Sequence, residues 1–146
     1  MRASFLRARG GAAAWMAIIM AFLMVPLMGL TMDVTRAMYV RTHLQAATDA
    51  GCQAAADSMH VTLFQNTGTR QINASLMYSR AAQVFNATLA DSGKVRFFPT
   101  LGLHLLTATS VECTATASVE RLIPVIVPEM NLTVKTVSDM RARTQP

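Results

Sequence analysis

The stretch AAAWMAIIMAFLMVPLMGLTM, residues 12–32, contains no charged side chain, with Arg7 and Arg9 before it and Asp33 directly after it. At a rise of 1.5 Å per residue, about 20 apolar residues cross a hydrocarbon core of about 30 Å. The run therefore reads as a membrane-spanning helix that tethers the chain by its amino end. Pro26 and Gly29 inside it do not argue against a span, because spanning helices tolerate both. Positive charge beside a first span tends to stay in the cytoplasm. The expected division is a basic cytoplasmic amino terminus (1–11), a transmembrane helix (12–32) and an extracytoplasmic domain (33–146). Arg36 and Arg41 beyond the span reduce the charge asymmetry without reversing it. A cleaved signal peptide would share the basic and apolar regions. However, no small-x-small triplet follows the apolar run, where Leu27, Met28, Gly29, Leu30 and Thr31 stand. A retained anchor is the favoured reading.

Outward from the span, Asp33 and Arg36 sit at i, i+3 spacing where a helix would leave lipid, and Tyr39 suits the interfacial belt. Arg7, Arg9, Asp33, Arg36 and Tyr39 form the expected membrane boundary. From Asp33 to about Val61 there is no proline, Gly51 is the only glycine, and Ala, Leu, Met, Gln and Arg favour helix. Apolar and small residues recur at three-four spacing: Val34, Ala37, Met38, Leu44, Ala47, Gly51, Ala54 and Ala55. One continuous helix is predicted from about Ala12 to about Val61, transmembrane first and amphipathic beyond.

Asn66 to Thr69 read as a turn. A second amphipathic helix is predicted over about Arg70 to Ala90, with Ile72, Leu76, Met77, Ala81, Val84, Phe85 and Leu89 apolar, ending at Asp91-Ser92-Gly93. The remainder reads as strand: Lys94 to Phe98, stopping at Pro99; Leu101 to Leu106; and Ser110 to Glu120. In the last of these Val111, Cys113, Ala115, Ala117 and Val119 alternate strictly with polar residues, the mark of a sheet with one buried face. A final strand places Met130, Leu132 and Val134 inward, with Asn131, Thr133 and Lys135 outward. The segment Leu122 to Pro128, with two prolines, is either an apolar loop against the membrane or a partner, or a connection tucked over the core. The fold class is α+β: a long amino-terminal helix, a second helix and a small antiparallel sheet.

Cys52 and Cys113 are the two cysteines. Alternation puts Cys113 on the buried strand face, where a helix bearing Cys52 could meet it. They are either bridged or two buried free thiols. A bridge would contribute about 2–4 kcal/mol.

No catalytic constellation stands out. His43, His60 and His104 are isolated, no Cys or His pair has zinc spacing, and no glycine-rich phosphate loop occurs. Asn73, Asn86 and Asn131 begin glycan-acceptor triplets, a pattern common by chance. The net charge of +5 is scattered, and the clusters Arg2, Arg7, Arg9 and Arg141, Arg143 are too short to argue for nucleic acid. No enzyme activity, cofactor, metal or small-molecule substrate is expected.

Arg9-Gly10-Gly11-Ala12, the apolar span and MDVTRAMYVRTHLQAATDAGCQAAA (residues 32–56) together resemble the TadE/TadG family of bacterial tight-adherence (Flp) pilus-assembly proteins. In the family pattern an Asp after the span is followed by an aromatic and a Leu-Gln-x-Ala-x-Asp-Ala run. Asp33, Tyr39, Leu44, Gln45, Ala47, Asp49 and Ala50 occupy those places. Residues 80–89 and the alternating strands resemble the rest of the small domain. No acid follows Gly10 and Gly11 within Ala12 to Met16, so the likeness is to the TadG-type branch. The resemblance implies a pilin-like fold and a minor pilin-like component held in the inner membrane. Its partners would be lipid and other pilin-like or secretion-system membrane proteins. Close approach of small residues drives helix packing in lipid, which singles out Gly29, Ala37, Leu44, Ala47, Gly51 and Ala54. An accessory subunit of an unrelated membrane complex, or a secreted binding module after signal cleavage, are the alternatives.

Overall fold

The computed structural model describes residues 3–90, 97–120 and 129–140. Helix α1 runs from Ala3 to Ala56, 54 residues with Pro26 inside, about 80 Å long at standard rise. The large apolar side chains from Trp15 to Met32 stand exposed, and none of the apolar window is buried within the molecule. Hydroxyls along this bare section satisfy themselves locally. Thr31 donates to the Met28 carbonyl and Thr35 to the Thr31 carbonyl, both at 2.8 Å.

From Val40 onward one side of α1 enters a core. Val40, Leu44, Ala47, Thr48, Cys52, Ala55 and Ala56 are buried, at the three-four spacing of a single face. The buried stripe starts later than its sequence pattern. Val34 and Met38 are exposed, because the head does not reach down to them, whereas Val40, absent from the expected stripe, is fully buried.

The helix also ends earlier than expected, at Ala56 instead of Val61. The Ser58 amide and hydroxyl both donate to the Ala55 carbonyl, closing the last turn. The main chain then extends, with Met59 bridging Ile72, and with the His60 amide donating to Gln71 and the Asn73 amide to Ser58, both at 2.8 Å. A short helix that the sequence reading missed, α2 (Val61–Thr67), follows. Its N-cap is His60, whose ring Nδ1 faces the Leu63 amide at 3.4 Å. It stops at Gly68, which adopts φ +69° and donates its N–H to the Phe64 carbonyl at 2.8 Å. Only glycine takes this left-handed cap without strain, so Gly68→Ala is expected to lower stability by about 1 kcal/mol, read from urea unfolding.

Helix α3 spans Ala74–Ala90, starting four residues after the expected Arg70. Asn73 caps it: its Oδ1 accepts from the Ser75 amide at 3.1 Å and from the Ser75 hydroxyl at 2.7 Å. The Asn-Ala-Ser triplet is thus used as a helix start. Asn73→Ala is expected to cost about 1 kcal/mol, measurable by the same unfolding. Met77, Ala81 and Phe85 form the buried face of α3. Ile72 is buried just ahead of the helix, in the bridge, and Leu76 points to solvent.

The sheet is antiparallel in the order β1-β2-β3, with β1 Phe98–Leu105, β2 Ser110–Glu120 and β3 Glu129–Asp139. Strand β1 contains Pro99, where a strand end was expected. An edge strand with one neighbour leaves one side of its backbone unpaired, and proline is tolerated there. The expected strand residues 94–96, the helix stop at Asp91 to Gly93, and the segment Leu122 to Pro128 lie outside the described residues. Strand β2 has the predicted bounds, and Val111, Cys113, Ala115, Ala117 and Val119 are buried. Helices α1 and α3 cover this face, giving a two-layer α+β head. The opposite face is mostly polar, with Phe98 and Val137 exposed on it. It carries a Thr100–Thr116 hydrogen bond of 2.6 Å and a Lys135–Glu112 ion pair of 2.9 Å.

The core has two halves. Near the bare rod, Val40, Leu44 and Ala47 meet Phe85, Ala115, Ala117, Val119 and Val134. At the far end, Cys52 and Ala55 meet Ile72, Met77, Ala81, Val111 and Cys113.

Candidate functional site

The features with functional meaning lie along α1, which changes character at about Val40. Along residues 12–32 it presents apolar side chains outward around its circumference, and Asp33, Arg36 and Tyr39 lie between that run and the head. Above Val40, three kinds of contact fix the helix to its own head. Cys52 is bonded to Cys113 on the central strand, with Cα atoms 5.7 Å apart and a sequence separation of 61. Both are fully buried. Beside this bond, Thr136 donates its hydroxyl to Asp49 Oδ1 at 2.6 Å, and Ser138 donates to Gln53 Oε1 at 3.1 Å. One side of α1 is thereby hydrogen-bonded to β3. On another side Gly51 admits α3. A Cβ built at Gly51 would lie 3.2 Å from the Ala81 carbonyl oxygen and 3.3 Å from Phe85 Cβ.

The expected packing residues separate accordingly. Leu44, Ala47 and Gly51 are buried inside the head, against α3 and the sheet. Ala54 is half-buried, and Gly29 and Ala37, also half-buried, lie on the lower rod. Among the motif residues Leu44 is in the core, Gln45 faces solvent, and the exposed Asp49 holds Thr136. At the expected membrane boundary Asp33, Arg36 and Tyr39 are half-buried. Tyr39 packs against the lower core, with its ring centroid 4.2 Å from that of His43. The side chains of Arg7 and Arg9 lie outside those described.

Thr136 and Ser138 escaped the sequence reading. The signal was present: β3 continues its alternation past Lys135, so both occupy inward positions. Inward hydroxyls at that end of a strand require polar partners, and Asp49 and Gln53 are the polar residues on the facing side of α1. Among the described residues no group of three or more His, Cys, Asp or Glu side chains is placed to hold a metal ion.

Residues 10–58 match the family model described as Flp pilus-assembly TadE/G-like. No curated protein and no solved structure matches the chain. The matched segment covers the apolar rod and its continuation to the Ser58 turn, including Asp33, Leu44, Gln45, Asp49 and Cys52. It supports a Flp-pilus-associated role in general. The apolar amino-terminal helix, the one among the described residues long and apolar enough to cross a membrane, fits a single-pass membrane protein of such a system.

Proposed function

We propose that this chain is a minor pilin-like structural component of a tight-adherence pilus or a related secretion apparatus. In this reading it is anchored in the bacterial inner membrane by residues 12–32, with residues 1–11 in the cytoplasm and the head, 33–146, on the far side. The observation that carries the reading is α1 itself: one unbroken helix, bare and apolar over residues 12–32 and bonded into a small head from Val40 onward. This shape suits mechanical work, in which the rod packs in lipid against other pilin-like helices while the head is displayed outside. The Cys52–Cys113 bond supports the orientation, since disulfides persist in oxidising compartments and not in the cytosol. The small residues left uncommitted on the lower rod, Gly29 and Ala37, are the positions assigned to close helix approach.

Two measurements test this. In spheroplasts, added protease is expected to degrade the head while an epitope placed before residue 3 survives. The reverse pattern rejects the orientation. Detergent extraction after cross-linking is expected to recover the chain with a secretion ATPase and other single-span pilin-like proteins. Recovery with a stable complex of unrelated membrane proteins would instead make it an accessory subunit of that complex.

A further inference from the structure

The two sulfurs of the disulfide are sealed on every side. Cys113 lies on β2, which has a strand on each edge. Its inner face is closed by α1, with Met77 and Ala81 of α3 and Leu103 of β1 in the same cluster. Cys52 and Cys113 are both 0% exposed. Thiol–disulfide exchange needs a thiolate to approach a sulfur along the S–S axis, through a mixed disulfide. No attacking group reaches either sulfur while α1 rests on the sheet. The same obstruction holds in both directions, for breaking the bond and for making it.

We propose that the bond is made on the still-open chain, before α1 closes on the sheet, by a partner of the disulfide-donor class. This rests on the reading that the head lies on the oxidising side of the membrane. The thiolate of one cysteine attacks the donor's disulfide and releases a donor thiol. The other cysteine's thiolate then attacks the mixed disulfide, forming the Cys52–Cys113 bond and releasing the second donor thiol. The two cysteines lose two electrons and two protons, and the donor's disulfide is reduced to a dithiol. The closed loop then contains α2, α3 and β1, so oxidation has to wait until β2 has emerged. A chain whose core closes first is trapped as a dithiol.

The test uses the oxidised full-length chain in detergent micelles, treated with dithiothreitol at increasing urea, with the released thiols and the circular dichroism followed together. Without urea, reduction is expected to be roughly 100-fold or more slower than in the unfolded chain, and to accelerate in step with loss of the dichroism. Reduction of the folded protein at the unfolded-chain rate would overturn the proposal, since the bond would then be accessible after closure. That failure would leave the orientation reading untouched, because the micelle experiment does not depend on the side of the membrane. Protease protection of the head in spheroplasts would refute the orientation without altering the measured accessibility.

Discussion

A chain carrying Cys52→Ala and Cys113→Ala is expected to unfold in urea at a midpoint about 2 M below that of the oxidised parent, for a slope near 2 kcal/mol per molar. The cross-link joins residues 61 apart, and loop-closure entropy for a ring of that size corresponds to about 4 kcal/mol. Such a loss is large for a head whose total stability would be on the order of 5–15 kcal/mol. The core has little reserve to absorb it. Ala47, Ala55, Ala56, Ala81, Ala115 and Ala117 make up much of the buried set, and each removes little apolar area from water. The single variants Cys52→Ala and Cys113→Ala should each fall nearly as far as the double, because one bond is lost in all three. A shift below 0.5 M in the double variant, on a scale where ordinary slopes are about 1–3 kcal/mol per molar, would contradict the assigned role of the bond.

How much of this was readable beforehand depended on whether a segment's local pattern and its tertiary use agreed. Strand β2 was legible to the residue, since strict alternation between a buried and a polar face is how it is used. The long helix was legible in kind, but its end was not. The run through Ala54, Ala55 and Ala56 favours helix with nothing to stop it, and termination comes from Ser58 closing back on Ala55 and from the bridge to Ile72. Helix α2 was hidden because its N-cap is a histidine, outside the usual capping set. Pro99 looked like a strand stop because the sequence does not say that β1 is an edge. For the candidate site, the sequence marked Leu44, Ala47 and Gly51 as close-packing positions. It could not tell packing within the chain from packing between chains, because a small residue permits both. Cys113 could be placed on a buried face by alternation, but its pairing with Cys52 needed the helix and the strand in one frame.

Gly51 supplies the sharpest test of that distinction. Gly51→Leu is expected to destabilise the head by about 3 kcal/mol, the upper part of the usual range for overpacking. Even a bare Cβ there sits 3.2 Å from the Ala81 carbonyl oxygen and 3.3 Å from Phe85 Cβ. Neither neighbour is the loose end of a flexible side chain, so relief requires α3 to move as a body. Moving α3 would disturb Met77, Ala81 and Phe85 in both halves of the core. Gly51→Ala should behave differently. Its clash amounts to a few tenths of an ångström, and replacing a mid-helix glycine with alanine gains about 1 kcal/mol of helix propensity. The net change is therefore expected to stay within about 1 kcal/mol of the parent. Urea unfolding of the three oxidised chains in micelles, followed by circular dichroism, gives the comparison. A Gly51→Leu chain that kept parental stability yet failed to assemble would move the role of this glycine from the chain's own α1–α3 contact to a contact with another molecule.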